Sequence, residues 1–325
     1  MNEKQPSIYS VVIGFNLAED TVESFKSLQQ STYKNLEHIF VDNNSSDDSV
    51  EVVGRSFPDV VLIGNEINSG FGVANNQGIA IAKGQYILLL NPDTIVHQSS
   101  INKLIEFMDN NPDIGVCGPK LLNDDGTTQR CVRRFPTFGA ALHRQTIFKT
   151  TSIFKRCQRK YNMRDFDHNS QRDVEQIMGA AFLVRKSVVD KIGGLDESYF
   201  MYYEEVDFCR RVGQAGWRVV FTPITTITHL GGQSSSQVPV GKRMMQMVSM
   251  FKYFRKHRGV GVTAMFNLLF KPAVLLGDIN NVVYNSILYL LAAITGNEAK
   301  KAKSILRIKN SAIWLGKYTF RLLKA

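Results

Sequence analysis

Short apolar runs alternate with amphipathic stretches through the first part of the chain. Each run consists mostly of Val, Ile, Leu or aromatic residues, the composition of strands that are buried on both faces. The stretches between them carry apolar residues at helical spacing, and several begin with acidic or capping residues. The predicted strands are 9–15, 36–41, 60–64 and 86–90, and the predicted helices are 20–28, 45–56, 71–83 and 101–108. This alternation predicts an α/β domain with a mostly parallel sheet and helices on both faces.

The pattern is less regular in the middle of the chain. Residues 126–172 are rich in arginine and only weakly periodic, which predicts an irregular segment such as a functional loop or lid. A strand over 174–184, a helix over 203–215 and a strand over 218–228 follow. The α/β pattern ends near 231–236, where Gly and Ser dominate, so the predicted domains are 1–236 and 237–325.

The second predicted domain is apolar and basic, with a helical pattern. From Val240 to Ala325 the chain has 15 Lys and Arg residues against two acidic ones, although the net charge of the whole protein is only +10. Residues 273–295 are long enough to cross a bilayer, but Asp278 and several Asn residues interrupt them, and a charge at bilayer depth is costly. We therefore expect one helix in the membrane interface, or two with a break near Gly277. The alternative is a helical subdomain packed on the first domain.

Charge and cysteine content bear on the partners and the compartment. The excess of basic residues predicts an acidic partner, either anionic lipid or nucleic acid. Because it accompanies long apolar helices, we expect an anionic membrane surface and no nucleic acid. None of the four cysteines forms a C-x-x-C pair, and the N-terminus lacks an apolar signal segment. These features predict a cytoplasmic protein, peripheral on the inner face of the plasma membrane.

Polar residues follow two predicted strands at their carboxyl ends, where ligands bind in parallel α/β sheets. Asp42 ends the second strand, and Asn91-Pro92-Asp93 follows the fourth. A carboxylate there can hold Mn²⁺ or Mg²⁺ against a diphosphate, with Asn91 contributing a carbonyl or a water, although N-P-D is also good turn chemistry. His229, after a later strand, becomes a metal-ligand candidate only in combination with Asp93.

Two further segments carry candidate chemistry. Glu204, Glu205 and Asp207 open a helix; the helix dipole explains part of this acidity, and one carboxylate is a candidate general base for an acceptor hydroxyl. The loop 68–72, NSGFG, enters another helix, so its backbone N–H groups can approach a nucleotide, and an ordinary tight turn is equally consistent. A carboxylate at Asp42 can accept a hydrogen bond from the imide N–H of uracil or thymine; the alternative is helix capping, for which residues 45–48 already offer candidates.

The order of these segments resembles the inverting family 2 glycosyltransferases with the GT-A fold, and within them the bacterial rhamnosyltransferase-like members. The resemblance spans about residues 8–236. It is carried by YSVVIGFN (9–16), FVDNNSSDDS (40–49), NSGFGVANNQGI (68–79), LLLNPDT (88–94), RRFPT (133–137), the stretch from MGAAFLVRK to WRVVFTP (178–223) and HLGG (229–232). It implies a GT-A fold, Rossmann-like with a mostly parallel central sheet and helices on both faces, followed by the C-terminal helical region.

The resemblance also implies roles for particular residues. Glu205 matches the catalytic base, with Asp207 left open as the alternative, and Asp93 and His229 match metal ligands. The nucleotide-sugar-binding residues that it implies are Asp42, Asn43, Asn68, Phe71, Asn75, Asn91 and Asp93. Two positions depart from the family pattern, because Asn91 stands for the first Asp of D-x-D and Glu205 stands for an Asp.

The implied activity is transfer of a sugar, with rhamnose as the candidate, by an inverting mechanism. The donor would be a dTDP- or UDP-linked nucleoside diphosphate sugar, the acceptor a saccharide or polyprenyl-linked saccharide of bacterial surface polysaccharide or cell-wall synthesis, and the cofactor Mn²⁺ or Mg²⁺. The sequence QAGWR (214–218) replaces the Q-x-x-R-W of processive synthases, so a non-processive enzyme is expected.

Two other classes are weighed against this activity. A nucleotidyltransferase acting on sugar phosphates needs a Gly-rich basic loop after the first strand, and NLAE (16–19) does not supply one. A non-catalytic, membrane-associated carbohydrate-binding protein would keep the fold without turning over a donor.

Overall fold

The computed structural model describes residues 6–231 and 239–325 of the chain. Contacts within the chain divide it into two compact units. The first comprises Met1–Arg134 and Asp165–Gln237, and the second comprises Phe135–Arg164 and Val238–Ala325. The predicted domain boundary at 236/237 lies outside the described residues. Residues 135–164, which fall inside the predicted first domain, belong to the second unit.

Parallel strands form one half of the central sheet in the first unit. β1 (Ile8–Gly14), β2 (Leu36–Asp42), β3 (Val61–Gly64) and β4 (Tyr86–Leu90) lie in the order β3-β2-β1-β4 and pair in parallel. The register places Gly14 beside Asp42, so β1 and β2 end together. β1 and β4 are buried along nearly their whole length, as strands that lie between two layers of helices are.

The other half of the sheet is mixed. β11 (Ala181–Arg185) runs antiparallel to β4 on one side and to β6 (Ile114–Leu122) on the other, and β6 pairs in parallel with β12 (Arg218–His229). β5 (Thr94–Val96) lies beyond β12 and is antiparallel to it. The short strands are β7 (Thr128–Gln129) beside β6, β9 (Arg172–Asp173) beside β12, and the separate pair β8 (Val132–Arg133) and β10 (Gln176–Ile177).

Helices flank this sheet. In the first unit they are α1 (Ala18–Gln29), α2 (Ser49–Ser56), α3 (Phe71–Ile81), α4 (Ser100–Asp109), α7 (Lys186–Ile192) and α8 (Glu204–Gln214). α4 illustrates the pattern, because Ile101, Leu104, Ile105 and Met108 share one buried face. The predicted α/β class, with a mostly parallel central sheet, is therefore confirmed, and β11 adds an antiparallel strand at its centre.

The strand predicted over 174–184 is interrupted. β10 and β11 are separated by residues 178–180, and there the backbone N–H of Met178 donates to the carbonyl of Cys131 at 2.7 Å, next to the β8–β10 pair. The carbonyl of Ala180 accepts from the backbone N–H of Asn91 at 3.0 Å. An apolar run alone does not reveal such a break, which brings this segment next to the end of β4.

The described residues of the second unit are largely helical. They form α5 (Phe138–Gln145), a 3₁₀ helix (Ile147–Thr150), α6 (Lys155–Tyr161), α9 (Pro239–Arg258), α10 (Val260–Ile294) and α11 (Glu298–Lys324). Phe138 packs against Phe254 and Phe266, with ring centroids 4.5 and 4.4 Å from its own. The expectation of an irregular segment over 126–172 is thus wrong in its central part, where the helices are too short to show a repeating apolar pattern.

Of the two alternatives for the apolar stretch, the single helix is found and the break near Gly277 is not. α10 is continuous over 35 residues, with Pro272 inside it. Gly277 serves close packing, because a Cβ atom there would lie 2.9 Å from the backbone nitrogen of Ile147. The next residue, Asp278, accepts two hydrogen bonds of 2.8 Å from Arg243. The residues that interrupt the apolar stretch are therefore used for contacts inside the second unit.

Candidate functional site

The candidate residues of the first unit gather at the carboxyl ends of parallel strands. Asp42 is the last residue of β2, while Asn91 and Asp93 follow β4. β2 and β4 are the two neighbours of β1, so these strand ends lie along one edge of the sheet. Asp42 and Asp93 are both buried. This is the edge at which ligands bind in open parallel α/β sheets.

Asp42 keeps one carboxylate oxygen without a protein partner. Its Oδ2 accepts a hydrogen bond from the backbone N–H of Ser45 at 2.9 Å, which shapes the turn into α2. Its Oδ1 is buried and has no hydrogen-bond partner among the described residues. Because buried polar atoms are nearly always paired, this oxygen is suited to accept a hydrogen bond from a ligand.

Asn43 and Asn68 hold the loop that precedes α3. Asn43 Oδ1 accepts from the backbone N–H of Ser69 at 3.1 Å, and Asn43 Nδ2 donates to Asn68 Oδ1 at 2.9 Å. Gly70 follows with a φ of +93°, and a Cβ atom there would lie 2.4 Å from the carbonyl oxygen of Phe200. The amides of Asn43 and Asn68 thus position this loop.

Phe71 and Asn75 occupy the first turns of α3. The backbone N–H of Phe71 donates to the carbonyl of Phe200 at 2.8 Å. Asn75 is buried and donates from Nδ2 to the carbonyl of Phe71 at 2.8 Å, while its Oδ1 has no partner in the described part of the chain. Asn75 therefore adds a second buried acceptor, in the first turns of α3.

Asn91, Asp93 and His229 come together although they lie far apart in sequence. Thr94 of β5 pairs with His229 of β12, and the backbone N–H of Leu230 donates to the carbonyl of Asp93 at 3.0 Å. His229 Nε2 lies 3.3 Å from Asp93 Oδ1 and 3.2 Å from Asn91 Nδ2. Both Asp93 and His229 are buried. The pairing that sequence reasoning required of these two residues is present.

The other ring nitrogen of His229 contacts a residue that the sequence did not single out. His229 Nδ1 lies 2.6 Å from Oε1 of Gln129, at the end of the short strand β7. A lone glutamine near a turn carries no recognisable signal in a single sequence. Only the alignment of β7 with β6, which pairs in turn with β12, brings it to the histidine.

Asp93 and His229 fit two positions of a divalent-metal site. A carboxylate oxygen and an imidazole nitrogen face each other at 3.3 Å in a buried setting. Residues 6–231 and 239–325 contain no group of three or more His, Cys, Asp and Glu side chains that could hold a metal ion. Mn²⁺ and Mg²⁺ commonly use one or two protein ligands together with phosphate oxygens and water, so this pair suits a metal shared with a diphosphate.

Glu204 and Glu205 open α8 as the sequence predicts, and both are desolvated. Glu204 Oε2 and Glu205 Oε2 are buried and accept no hydrogen bond from the described residues. Burial raises the pKa of both carboxyl groups, and repulsion by Glu205 raises that of Glu204 further. Backbone hydrogen bonds and the charge of Arg133 act in the opposite direction on the pKa of Glu205. Arg133 is a second residue whose contribution sequence reasoning did not assign.

Glu205 lies close to the end of β4 through the break between β10 and β11. A Cβ atom built on Gly179 would lie 3.6 Å from Glu205 Cβ and 3.9 Å from Cε1 of Phe71. The adjacent Ala180 holds the backbone of Asn91 at 3.0 Å. Glu205 and the Asn91–Asp93 turn therefore both lie next to the same short segment, residues 179–180.

Asp207 is engaged elsewhere. Its fully buried carboxylate forms an ion pair with Arg211, whose Nε lies 2.8 Å from Asp207 Oδ2. Arg211 also donates to the carbonyls of Ile192 and Gly194, at 2.9 and 2.6 Å. The ion pair thereby ties the start of α8 to the segment after α7.

Comparison with known sequences places this geometry in context. The sequence profile of Glycosyl transferase family 2 matches residues 10–193. Over 226 residues the chain is 27% identical to an N-acetylglucosaminyl-diphospho-decaprenol L-rhamnosyltransferase of Mycobacterium tuberculosis, covering 66% of this chain and 72% of that protein. It is 26% identical over 205 residues to the rhamnosyltransferase WbbL of Escherichia coli, covering 58% of this chain and 71% of WbbL.

Solved structures agree on the fold. The mannosyltransferase PcManGT of Pyrobaculum calidifontis, in complex with GDP-Man and Mn²⁺, superposes with a TM-score of 0.56 at 14% identity, covering 95% of this chain and 87% of that one. At such low identity the likeness concerns the fold alone, and it confirms the expected GT-A architecture.

We predict that Asp207→Ala destabilises the protein by about 3 kcal/mol, because it leaves a partly buried Arg211 without its carboxylate partner. Chemical denaturation of the purified variant measures the change. The matched control is Asp190→Ala, which removes the acid of the exposed i,i+4 ion pair with Lys186 and should cost no more than ~0.5 kcal/mol. Equal losses in the two variants would contradict the structural importance of the Asp207–Arg211 pair.

Proposed function

Because the chain belongs to glycosyl transferase family 2, we propose that it transfers a sugar with inversion from a nucleoside diphosphate donor to a lipid-linked or free saccharide acceptor. The protein is a glycosyltransferase, with rhamnosyltransferase homologues. The names of two relatives support rhamnose as the sugar, and one of those names supports a polyprenyl-linked acceptor. We place the reaction in bacterial surface polysaccharide or cell-wall synthesis. Family membership argues against both alternatives, the nucleotidyltransferase and the non-catalytic binding protein.

The desolvated carboxylate of Glu205 carries the mechanistic proposal. Its raised pKa makes the carboxylate a better proton acceptor than an exposed glutamate, and its Oε2 has no partner in the described residues. In the proposed reaction the acceptor hydroxyl attacks the anomeric carbon, Glu205 takes the hydroxyl proton, and the bond to the diphosphate breaks on the opposite face. A single displacement of this kind inverts the anomeric configuration. Asp207 is left out of the chemistry because its carboxylate is paired with Arg211.

Asp42 is proposed to recognise the nucleobase. Its unpaired Oδ1 is a buried acceptor, and uracil and thymine both present an imide N–H. A UDP-linked and a dTDP-linked donor are therefore equally compatible with this contact. We propose that Asn43, Asn68, Phe71 and Asn75 shape the donor site through the loop before α3 and the first turns of that helix.

Asp93 and His229 are proposed to hold the divalent cation, with Asn91 beside them. A bound Mn²⁺ or Mg²⁺ would offset the negative charge on the departing diphosphate. The fold fixes the position of this pair without a ligand. The strand pairing of Thr94 with His229 sets the separation between the side chains of Asp93 and His229. The Mn²⁺ in the structure of the mannosyltransferase relative supports this assignment by analogy.

The second unit is proposed to bind an anionic membrane surface, which would place the protein on the inner face of the plasma membrane. Met265, Leu268 and Ile294 of α10 are 74, 80 and 82% exposed. Among the described residues, α10 is also the only helix that is long enough and apolar enough to cross a membrane, and its mean hydropathy is 1.6. We favour an in-plane position, because α11 combines exposed apolar residues such as Ile313 and Phe320 with many Lys and Arg residues.

We predict that Glu205→Gln lowers the transfer rate by at least ~10² while nucleotide binding survives, since the base faces the acceptor. Steady-state transfer and calorimetry with UDP or dTDP measure the two effects. Asp207→Asn and Glu204→Gln are the controls, and a folded, inactive variant of either beside an active Glu205→Gln would reassign the base.

The assignment of Glu205 as the general base also predicts how kcat/KM depends on pH. A base must be ionised, so a raised pKa of Glu205 moves the acidic limb of the kcat/KM profile above that of an exposed glutamate, near pH ~4.3. Arg133→Gln should move that limb further upward because the Arg133 charge lowers this pKa, whereas Arg134→Gln, at the exposed neighbouring residue, should not.

We predict that Asp93→Ala abolishes the Mn²⁺-dependent part of nucleoside diphosphate binding, because it removes the carboxylate of the proposed pair. Calorimetry with UDP or dTDP, with and without Mn²⁺, measures it. Affinity without metal should change little in comparison. Equal affinity of the variant and the unchanged protein in Mn²⁺ would refute the metal assignment.

For the membrane proposal we predict that the full-length variant Leu268→Gln/Leu276→Gln/Val283→Gln loses roughly tenfold or more of its binding to phosphatidylglycerol vesicles. Flotation measures the bound fraction. The control carries the same change at three exposed apolar residues of the first unit, Val50, Val61 and Ile81, and should float normally. Binding should also fall on phosphatidylcholine vesicles, since each basic residue near an anionic surface contributes about 1 kcal/mol. Normal flotation of the α10 variant would exclude this face as the lipid contact.

A further inference from the structure

We propose that Gln129 is a positioning residue that holds a proton on Nδ1 of His229, so that Nε2 is the ring nitrogen presented to Asp93. The relevance of that nitrogen for metal binding rests on the proposed function. The tautomer itself follows from a chain of hydrogen bonds in the first unit, from Asp125 through Thr127, Asn123 and Gln129 to His229.

The chain begins at a group that only accepts. The Thr127 hydroxyl lies 2.6 Å from Asp125 Oδ1, and the backbone N–H of Thr127 donates to the same oxygen at 2.9 Å. The hydrogen bond from the Thr127 hydroxyl and, to a smaller extent, the one from its backbone N–H lower the pKa of Asp125. The carboxyl group of Asp125 therefore stays ionised and cannot donate. The Thr127 hydroxyl must therefore give its single proton to Asp125.

That direction fixes the next amide. Because the only proton of the Thr127 hydroxyl is donated to Asp125, the hydroxyl oxygen must act as acceptor toward its other neighbour. That neighbour lies 2.9 Å away and is therefore Nδ2 of Asn123. The carbonyl oxygen of the Asn123 side chain then faces Gln129. The orientation of an Asn side chain, which its own shape leaves open, is settled here by its neighbours.

Gln129 is oriented by two acceptors on the same side. Its Nε2 lies 2.9 Å from Asn123 Oδ1 and 3.1 Å from the backbone carbonyl of His229. Neither oxygen can donate, so the NH₂ group of Gln129 points to both of them. Its Oε1 is therefore the atom that lies 2.6 Å from His229 Nδ1.

An amide oxygen at that distance requires a proton on Nδ1. If the neutral ring instead carried its proton on Nε2, the lone pairs of Nδ1 and Gln129 Oε1 would face each other. On the other side of the ring, Nε2 lies 3.2 Å from Asn91 Nδ2, which can donate to it, and 3.3 Å from Asp93 Oδ1. A neutral imidazole with one bare nitrogen is the form that binds a metal, and its second nitrogen characteristically donates to such an oxygen.

The residues of this hydrogen-bond chain up to Gln129 lie in one β-hairpin, formed by β6 and β7. Asn123 follows β6, Gly126 turns with a φ of +77°, and Gln129 pairs with Leu121 across the β6–β7 ladder. β6 in turn lies beside β12, which ends at His229. The turn thus delivers Gln129 Oε1 to the histidine through backbone pairing.

The test is the tautomer of His229 in the full-length, metal-free protein, read from ¹⁵N imidazole shifts at a pH where the ring is neutral and assigned with His229→Gln. Gln129→Leu removes both the amide oxygen and the amide donors at similar size, whereas Gln129→Glu keeps an acceptor for the Nδ1 proton. We expect the Nδ1–H form in the unchanged protein and in Gln129→Glu, and a substantial Nε2–H population in Gln129→Leu. Finding Nε2–H in the unchanged protein, or an unaltered tautomer in folded Gln129→Leu, would overturn the proposal.

Mn²⁺ binding in the presence of UDP, followed by calorimetry, gives the second readout. Gln129→Leu should weaken it by about 10- to 100-fold, and Gln129→Glu should restore it to within a few-fold. Equal Mn²⁺ affinity in both variants counts against the positioning role. Neither measurement depends on sugar transfer. The expected tautomers without any Mn²⁺ binding would therefore refute the metal assignment of the proposed function and leave the hydrogen-bond assignment standing.

Discussion

The antiparallel pairing of β5 with the end of β12 is the contact on which the candidate site depends. It sets Thr94 opposite His229, and with them the buried side chains of Asp93 and His229 at 3.3 Å. Either side chain alone would be costly to bury, because a desolvated polar group without a partner destabilises the folded state. In the structure the two side chains lie against each other with Asn91 beside them, and Gln129 accepts the Nδ1 proton of His229. Because the backbone ladder holds both ends, the pair can keep its geometry in the absence of a ligand.

Around that pair the structure combines saturated networks with single unsatisfied atoms. The Asn43 amide uses both of its ends to hold the loop before α3, while the adjacent Asp42 leaves Oδ1 unpaired. Glu205 leaves Oε2 in the same condition at the start of α8. Each buried, unpaired acceptor costs about 1–3 kcal/mol in the free protein, and a ligand that donates to it recovers that cost on binding.

The sequence predicts the parts of this arrangement that arise from local order. Apolar runs place the parallel strands, and the position of a strand end then places Asp42 and Asp93 at the ligand edge. The roles of Gln129 and Arg133 cannot be predicted in this way, because their contacts depend on how short strands pair with strands elsewhere in the sequence. The same holds for the break at 178–180 and for the helices between Phe138 and Tyr161, whose lengths are below what periodicity can reveal. The sequence leaves a break at Gly277 open, because it does not distinguish a helical glycine in a close contact from one at a kink.

The second unit differs from the first in the extent of apolar surface that its longest helix leaves exposed. In α10 three polar residues, Thr263, Asp278 and Asn285, are buried beside apolar ones, while Met265, Leu268 and Ile294 are exposed. Asp278 is balanced by Arg243, whose guanidinium also lies 4.5 Å from the centre of the Trp314 ring, so the inward charge is paired and covered. The outer face of α10 carries many exposed apolar side chains. A continuous apolar face then gains free energy wherever the medium beside it is apolar, and the basic residues of α11 can lay their stems along that boundary with their charges in water.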